Sequence, residues 1–255
     1  MYINRRNFCG MVALSASLLA MGCGSSGNSN VRTVNTSVGL TGYSVQVGVT
    51  GVAFSLPYGT EGVQQPGQYA STDASGKYRP IGAGTNQSVV LYQKVGTNLA
   101  TKTQSFLKGG YYTVVNLNPP PGILLLVLTD NDSAPTSGNF KLRVVHSSPS
   151  AGSVDVYVTA PGGSVVGATP LLSNLQFGQV TQTYFQLAPG TYEVQVTPHG
   201  NPSSVVITKA FTPTAGNIYT AFTLDPAPGT SDFGLLITND PVSKTTVMAS
   251  GTTVP

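Results

Sequence analysis

His146, Asp155 and the adjoining Ser147 and Ser148 are the residues whose types and spacing best fit a chemical role. A serine hydrolase needs a hydroxyl nucleophile, a base to take its proton and a carboxylate to orient the base, and this stretch holds all three. It lacks the surrounding machinery, since there is no Gly-x-Ser-x-Gly elbow and no helical pattern after the serines. A structural reading of the same residues is available. If residues 148–153 form a hairpin connection, antiparallel register sets Ser147 opposite Val154 and His146 opposite Asp155, within reach of a cross-strand hydrogen bond. Asn35 and Ser44 stand the same nine positions apart, and they can hydrogen-bond but cannot act as base and carboxylate. The expectation is a structural polar pair of His146 and Asp155, with no catalytic residue assigned and an extracytoplasmic hydrolase using His146 as the alternative.

Other reactive groupings are sparse. His146 and His199 are 53 residues apart and show no metal-ligand spacing. Asp130-Asn131-Asp132 offers oxygen ligands but lacks the glycine and distal glutamate of a calcium loop, so it reads as a solvated turn between domains. No cofactor or metal is expected. Twelve tyrosines and nine phenylalanines, with no tryptophan, supply the remaining lead. Tyr112, Tyr192 and Tyr219 fall at turn exits in strand patterns, where a ring points inward with its hydroxyl at the rim. Tyr43, Tyr58, Tyr69, Tyr78 and Tyr111 are less regularly placed and are the candidates for exposed rings that stack on a glycan or a protein partner.

The elements that must position these residues are strands. Short runs rich in Val, Thr, Tyr and Phe alternate with Pro, Gly and Asn clusters, and no segment after residue 30 has a 3.6-residue period. The clearest strand is 191–196: Tyr192, Val194 and Val196 share one face, and Thr191, Glu193 and Gln195 share the other. The polar faces carry Thr, Ser, Asn and Gln more than Lys and Glu, a composition suited to β faces.

An internal repeat organises the chain. Val31-Arg32-Thr33-Val34-Asn35-Thr36-Ser37 aligns with Leu142-Arg143-Val144-Val145-His146-Ser147-Ser148, and 44–47 aligns with 155–158, both at an offset of 111. Further on, 81–85 matches 187–191, 109–113 matches 216–220, and Leu128-Thr129-Asp130 matches Ile237-Thr238-Asn239. The order is kept throughout, which predicts two homologous domains, 31–138 and 139–255, joined through Ala134-Pro135-Thr136-Ser137-Gly138. Thr245-Thr246-Val247-Met248 is read as a last strand.

Leu142-Arg143-Val144-Val145-His146-Ser147-Ser148-Pro149, Val154 to Val158, Phe177-Gly178-Gln179-Val180, Leu187 to Val196 and Gly216 to Tyr219 together resemble the domain of unknown function 4397 family (DUF4397). The first repeat is a more divergent copy, with Asn35 and Ser44 at the His and Asp positions and Leu56-Pro57-Tyr58-Gly59 in place of Phe177-Gly178. The resemblance implies exported bacterial proteins, often with tandem copies, and β-sandwich modules; it implies no catalytic residues. The fold class expected is all-β, two tandem immunoglobulin-like antiparallel β-sandwich domains after an N-terminal signal.

The N-terminus supplies that signal. Arg5 and Arg6 precede an apolar run from Gly10 to Ala20, too short for the roughly 20 residues of a membrane span. The run ends in Leu19-Ala20-Met21-Gly22-Cys23, which resembles a lipobox. Residues 1–22 are read as a lipoprotein signal peptide and Cys23 as the acylated N-terminus. Residues 23–30 form a Gly/Ser/Asn tether. Asn4 to Phe8 also resembles a twin-arginine signal. Removing Arg5 and Arg6 from twelve basic residues leaves ten against nine acidic ones, so the mature chain is nearly neutral and lacks the charge of a nucleic-acid binder. With Cys9 and Cys23 as the only cysteines, burial must hold the fold without disulfides. These features predict a non-enzymatic envelope lipoprotein, anchored at the outer membrane, acting as a binding, adhesion or structural display module towards an envelope protein or glycan.

Overall fold

The computed structural model describes residues 27–63, 76–93, 97–118, 122–130, 132–181 and 183–242. Cys23, the signal segment, Tyr69 and the strand read at 245–248 lie outside the described residues. Seventeen strands are present among the described residues. In the first half they are β1 (Asn28–Asn35), β2 (Tyr43–Val47), β3 (Thr50–Phe54), β4 (Thr60–Gly62), β5 (Arg79–Gly82), β6 (Gly84–Gln93), β7 (Asn98–Phe106), β8 (Tyr111–Leu117) and β9 (Leu124–Thr129). In the second half they are β10 (Phe140–Val145), β11 (Val154–Thr159), β12 (Leu172–Leu175), β13 (Phe185–Leu187), β14 (Tyr192–Pro198), β15 (Ile207–Phe211), β16 (Ile218–Leu224) and β17 (Gly234–Asp240). The described residues contain one short 3₁₀ turn, Pro149–Ala151, between β10 and β11.

Each half is a sandwich of two sheets. In the first, β4 and β5 share one edge of β1, which continues to β8 and β9, and this sheet packs on the sheet β3-β2-β6-β7. Val31, Tyr112 and Val114 from one sheet meet Tyr43, Val45, Val89, Leu91 and Phe106 from the other in a closed core. The second half repeats the plan with β13-β10-β16-β17 on β12-β11-β14-β15. Its core joins Phe140, Leu142 and Val144 to Val154, Val156, Val194, Val196 and Phe211.

The all-β tandem sandwiches expected from the sequence are present and most of their strand pairs are antiparallel, with one parallel pair in each inner sheet. β1 runs parallel to β8 and β10 runs parallel to β16. A parallel neighbour needs a long crossover, and the excursion through β2 to β7, or β11 to β15, supplies it. The two halves are then stacked through their β1-β8-β9 and β10-β16-β17 sheets, giving four layers in the order outer, inner, inner, outer. Val34, Val115, Leu117 and Leu128 of the first half pack against Val145 and Phe222 of the second. The central inner strands β1, β8, β10 and β16 are consequently buried on both faces for most of their length, and all six residues of β10 are inaccessible or nearly so.

Candidate functional site

The densest polar grouping lies in that central layer. Arg32 on β1 and Arg143 on β10 occupy equivalent positions, and alternation along the strands turns both away from their own cores towards the other half. Arg32 donates from Nε to Oγ1 of Thr113 at 2.8 Å, and Arg143 from Nε to Oγ1 of Thr220 at 2.9 Å. Those hydroxyls donate in turn to the carboxylates ending their own sandwiches, Asp130 and Asp240. The guanidinium Nη2 atoms then cross over: Arg32 bonds Asp240, and Arg143 bonds Asp130 at 2.8 Å. The Nη1 atoms add the carbonyls of Asn239 and Thr129. Tyr78 and Tyr184 lie over the guanidinium carbons of Arg32 and Arg143, at 4.8 and 4.9 Å from the ring centroids, and their hydroxyls donate to Asp130 and Asp240. Burial alone would lower the arginine pKa values, but the two carboxylates outweigh it and raise both.

The sequence reading of Asp130-Asn131-Asp132 as a solvated turn is corrected here. Asp130 is fully buried in the cluster, and Asp132 is held by Lys141 Nζ at 2.7 Å. Both carboxylates are therefore already neutralised by cations. The repeat alignment also shifts by one residue: Thr113 pairs with Leu128 and Thr220 with Thr238, so Asp130 corresponds to Asp240, not Asn239. The signal for the cluster was present in the chain, as matched Arg, Thr, Asp and Tyr residues in both repeats. It was missed because a sheet face away from a single sandwich core reads as solvent-facing.

His146 and Asp155 are not paired. β10 and β11 lie in different sheets of the sandwich, so residues 148–153 form an arch across the layers instead of a hairpin. His146 is buried, with Nε2 at 2.6 Å from the carbonyl of Gly152 and Nδ1 at 2.8 Å from Oγ1 of Thr223. Because a carbonyl only accepts, Nε2 carries a proton, and in the neutral ring that burial favours, Nδ1 accepts from the Thr223 hydroxyl. Burial lowers its pKa. Ser147 donates to the carbonyl of Thr223 and Ser148 to Asp225. Asn35, the first-repeat counterpart of His146, likewise ties its own loop, donating to the Leu56 carbonyl at 2.8 Å. The match of Leu56 to Gly59 with Phe177-Gly178 fits this, because Gly59 N–H bonds Asn35 O as Gly178 N–H bonds His146 O, both at 2.8 Å.

Asp155 is instead claimed by the other histidine. It accepts from His199 Nδ1 and from the backbone N–H of Asn174, both at 2.8 Å, from Gly200 N–H at 2.9 Å, and from the Ser173 hydroxyl at 3.0 Å. Burial pushes its pKa up, but the Gly200 and Asn174 amides, with His199 and Ser173, outweigh it and hold the carboxyl down at about 2. The site fastens the turn after β14 to the irregular β12 edge, where the β11–β12 register shifts between Val154 and Val156.

The tyrosines divide differently from expectation. Tyr112, Tyr192 and Tyr219 do hold their hydroxyls to backbone just upstream: Leu107 N–H, Ala188 O and Thr214 N–H, the corner arrangement seen in immunoglobulin-like domains. Tyr43 and Tyr78, taken as candidates for exposure, are buried, Tyr43 in the first core and Tyr78 over Arg32. Tyr58 is half-buried and donates to the Asp225 carbonyl of the second half. A recess of about 520 Å³ lies between the edge strands β12 and β13, lined by Leu172, Leu175, Val180 and Phe185 with Gln179 and Thr181 among its polar groups.

The family model for Domain of unknown function (DUF4397) matches the chain twice, over residues 29–157 and 162–250. The division between the two matches falls at the end of β11, inside the second sandwich, whereas the sheets divide at residues 133–139. A comparison with curated proteins finds no match. The two matches span most of the sequence in the order in which the two sandwiches occur, and the chain belongs to the DUF4397 family.

Proposed function

We propose that this protein is a non-enzymatic lipoprotein of the cell envelope that binds or displays, held through Cys23 and the tether behind it. One observation carries the reading: the reactive side chains are committed to holding the fold. His146 closes the arch at Gly152, Ser147 and Ser148 are spent on Thr223 and Asp225, and Asp155 fastens two loops. A hydrolase centred on His146 would need a carboxylate on its ring nitrogen, and the partner there is the Thr223 hydroxyl. The central cluster meanwhile fixes the two sandwiches as one unit, so loops and outer sheets are presented on a rigid support, an arrangement suited to recognition. The anchor reading predicts a mature chain starting at an acylated Cys23, since stable attachment takes more than one acyl chain.

The test uses the tagged, full-length protein in its own cells. Intact-mass analysis of the membrane fraction is expected to show an acylated Cys23, and Cys23→Ser to release the protein from the membrane. Cross-linked recovery is expected to yield a defined envelope molecule. Esterase, glycosidase or peptidase turnover that disappears in His146→Ala would overturn the non-enzymatic reading.

A further inference from the structure

The outer sheet of the first sandwich carries two aromatic residues on its solvent face. Register sets Ser44 of β2 directly opposite Phe54 of β3 on one side and Tyr92 of β6 on the other. Tyr43 and Val45, the neighbours of Ser44, point into the core, so Ser44, Phe54 and Tyr92 all face outward. Phe54 is 39% exposed. The two aromatic positions are two strand spacings apart, about 10 Å, with only the small Ser44 side chain between them.

Polar, uncharged residues surround the pair. Gln46, two residues along β2 from Ser44, shares its face, and Asn98 of β7 is paired with Tyr92. Thr101 and Thr103 lie opposite Val90 and Ser88 on the same face. No Lys, Arg, Asp or Glu is among these outward positions, so the surface complements a neutral ligand rich in hydroxyls, not a charged segment.

Among the described residues, the β2–β3 connection also leaves this face open. β2 and β3 are joined by the tight turn Gly48-Val49, with Gly48 at φ 55°. In the second repeat, β11 and β12 are joined by residues 160–171, which fold back over the equivalent face: Gln195 on β14 donates to the Gly163 carbonyl, and Tyr157 is 4% exposed. The position of Ser44 is there taken by Asp155 with its four donors. One repeat thus covers and cross-links this face where the other exposes it with an aromatic residue on either side.

We propose that the outer face of β3-β2-β6-β7 binds an uncharged, β-linked pyranose chain, with Phe54 and Tyr92 as the two stacking residues and Ser44, Gln46 and Asn98 as hydrogen-bonding neighbours. The axial C–H bonds of a β-pyranose form a weakly positive apolar face that matches the negative face of an aromatic ring. In an extended β-linked chain this face returns at every second sugar, and the separation of the two aromatic residues is close to that disaccharide repeat. The small Ser44 leaves room for the intervening unit. The inference rests on reading the protein as a binding module, and it names the ligand class and the face.

Isothermal titration of the mature protein with cellohexaose and with the hexamer of β-1,4-linked N-acetylglucosamine tests it, with maltohexaose as the α-linked control. Saturable binding of at least one β-linked hexamer is expected, with the α-linked chain at least tenfold weaker. Phe54→Ala and Tyr92→Ala should each weaken binding three- to tenfold, and the double variant should abolish it while melting as the wild type does. Tyr92→Phe should retain it. No binding of either β-linked hexamer, or binding unchanged in the double variant, overturns the proposal. Recovery of the same envelope partner by the double variant also overturns this face as the site while leaving the binding-module reading intact. Cleavage of either hexamer would instead overturn the non-enzymatic reading.

Discussion

Arg143, on the first strand of the second sandwich, lies 2.8 Å from Oδ1 of Asp130, at the end of the first sandwich, and Arg32 and Asp240 repeat the relationship in the opposite sense. Each arginine is braced by its own threonine and bonds the other half's carboxylate, while Arg32 also pairs with Glu61 and Arg143 with Asp240, at 3.2 Å, within their own halves, so the two sandwiches share one charge network. A tandem repeat that shared only a linker would have no such dependence.

Breaking the exchange on one side strips a buried charge of its cross-interface partner, leaving Arg32 with Glu61 or Asp240 with Arg143. Asp240→Ala or Arg32→Ala is expected to destabilise the protein by about 3–5 kcal/mol, and the double variant Arg32→Met/Asp240→Leu by much less. Urea titrations followed by circular dichroism measure both. Equal losses in the single and double variants would argue against mutual neutralisation.

The apolar part of the same interface couples the halves in unfolding. Phe222, buried against Val34 and Val115 of the first half, should cost about 3–5 kcal/mol as Phe222→Ala. The wild type is expected to unfold in one calorimetric transition, with the calorimetric and van't Hoff enthalpies in agreement. Two separated transitions in the wild type would show that the interface does not unite the halves.

Asp155 gives the fold an acid dependence. Its carboxyl is held near 2 against an ordinary 3.8, so its contribution is complete above about pH 4 and is lost as pH falls through about 2. The shift corresponds to about 2 kcal/mol. Asp155→Asn should lose stability at pH 7 and differ little from the wild type at pH 2, as read from melts across that range.

His146 works in the same direction through a different group. Burial depresses its pKa below 6.5, so its neutral form contributes stability above that pH, and the contribution is lost as pH falls through the depressed value. His146→Leu removes the partner of the Gly152 carbonyl and should cost about 1–3 kcal/mol, whereas His146→Asn, which copies Asn35, should keep the fold and any partner binding. Thermal melts at pH 7.5 separate the two variants, and both should show a shallower dependence between pH 7.5 and 5 than the wild type, because each lacks the titrating ring.

The corner tyrosines offer a conservative test. Tyr112→Phe and Tyr219→Phe leave the Leu107 and Thr214 amides without their hydroxyl acceptor, at a cost of about 1–2 kcal/mol each where water does not replace it. Similar losses in the two variants would reflect the equivalent positions of the rings in the two repeats.

Strands, turns and the duplication were legible in the linear chain because they depend on local alternation, on Gly and Pro at turns, and on residue-by-residue similarity. Tyr192, Val194 and Val196 face the core as alternation requires, and Asn35 and His146 do hold equivalent loops. The sequence also displayed every member of the central cluster, since Arg32 and Arg143, or Thr113 and Thr220, match at fixed offsets. What it could not express is which sheet a strand joins and what lies against that sheet's far face. His146 and Asp155 are nine residues apart but belong to different layers, so a hairpin register could not pair them, and Asp155 meets His199 from 44 positions away. Asp130 reads as a polar turn residue until the second sandwich covers it. Those outcomes depend on contacts between distant segments, which tertiary packing alone sets.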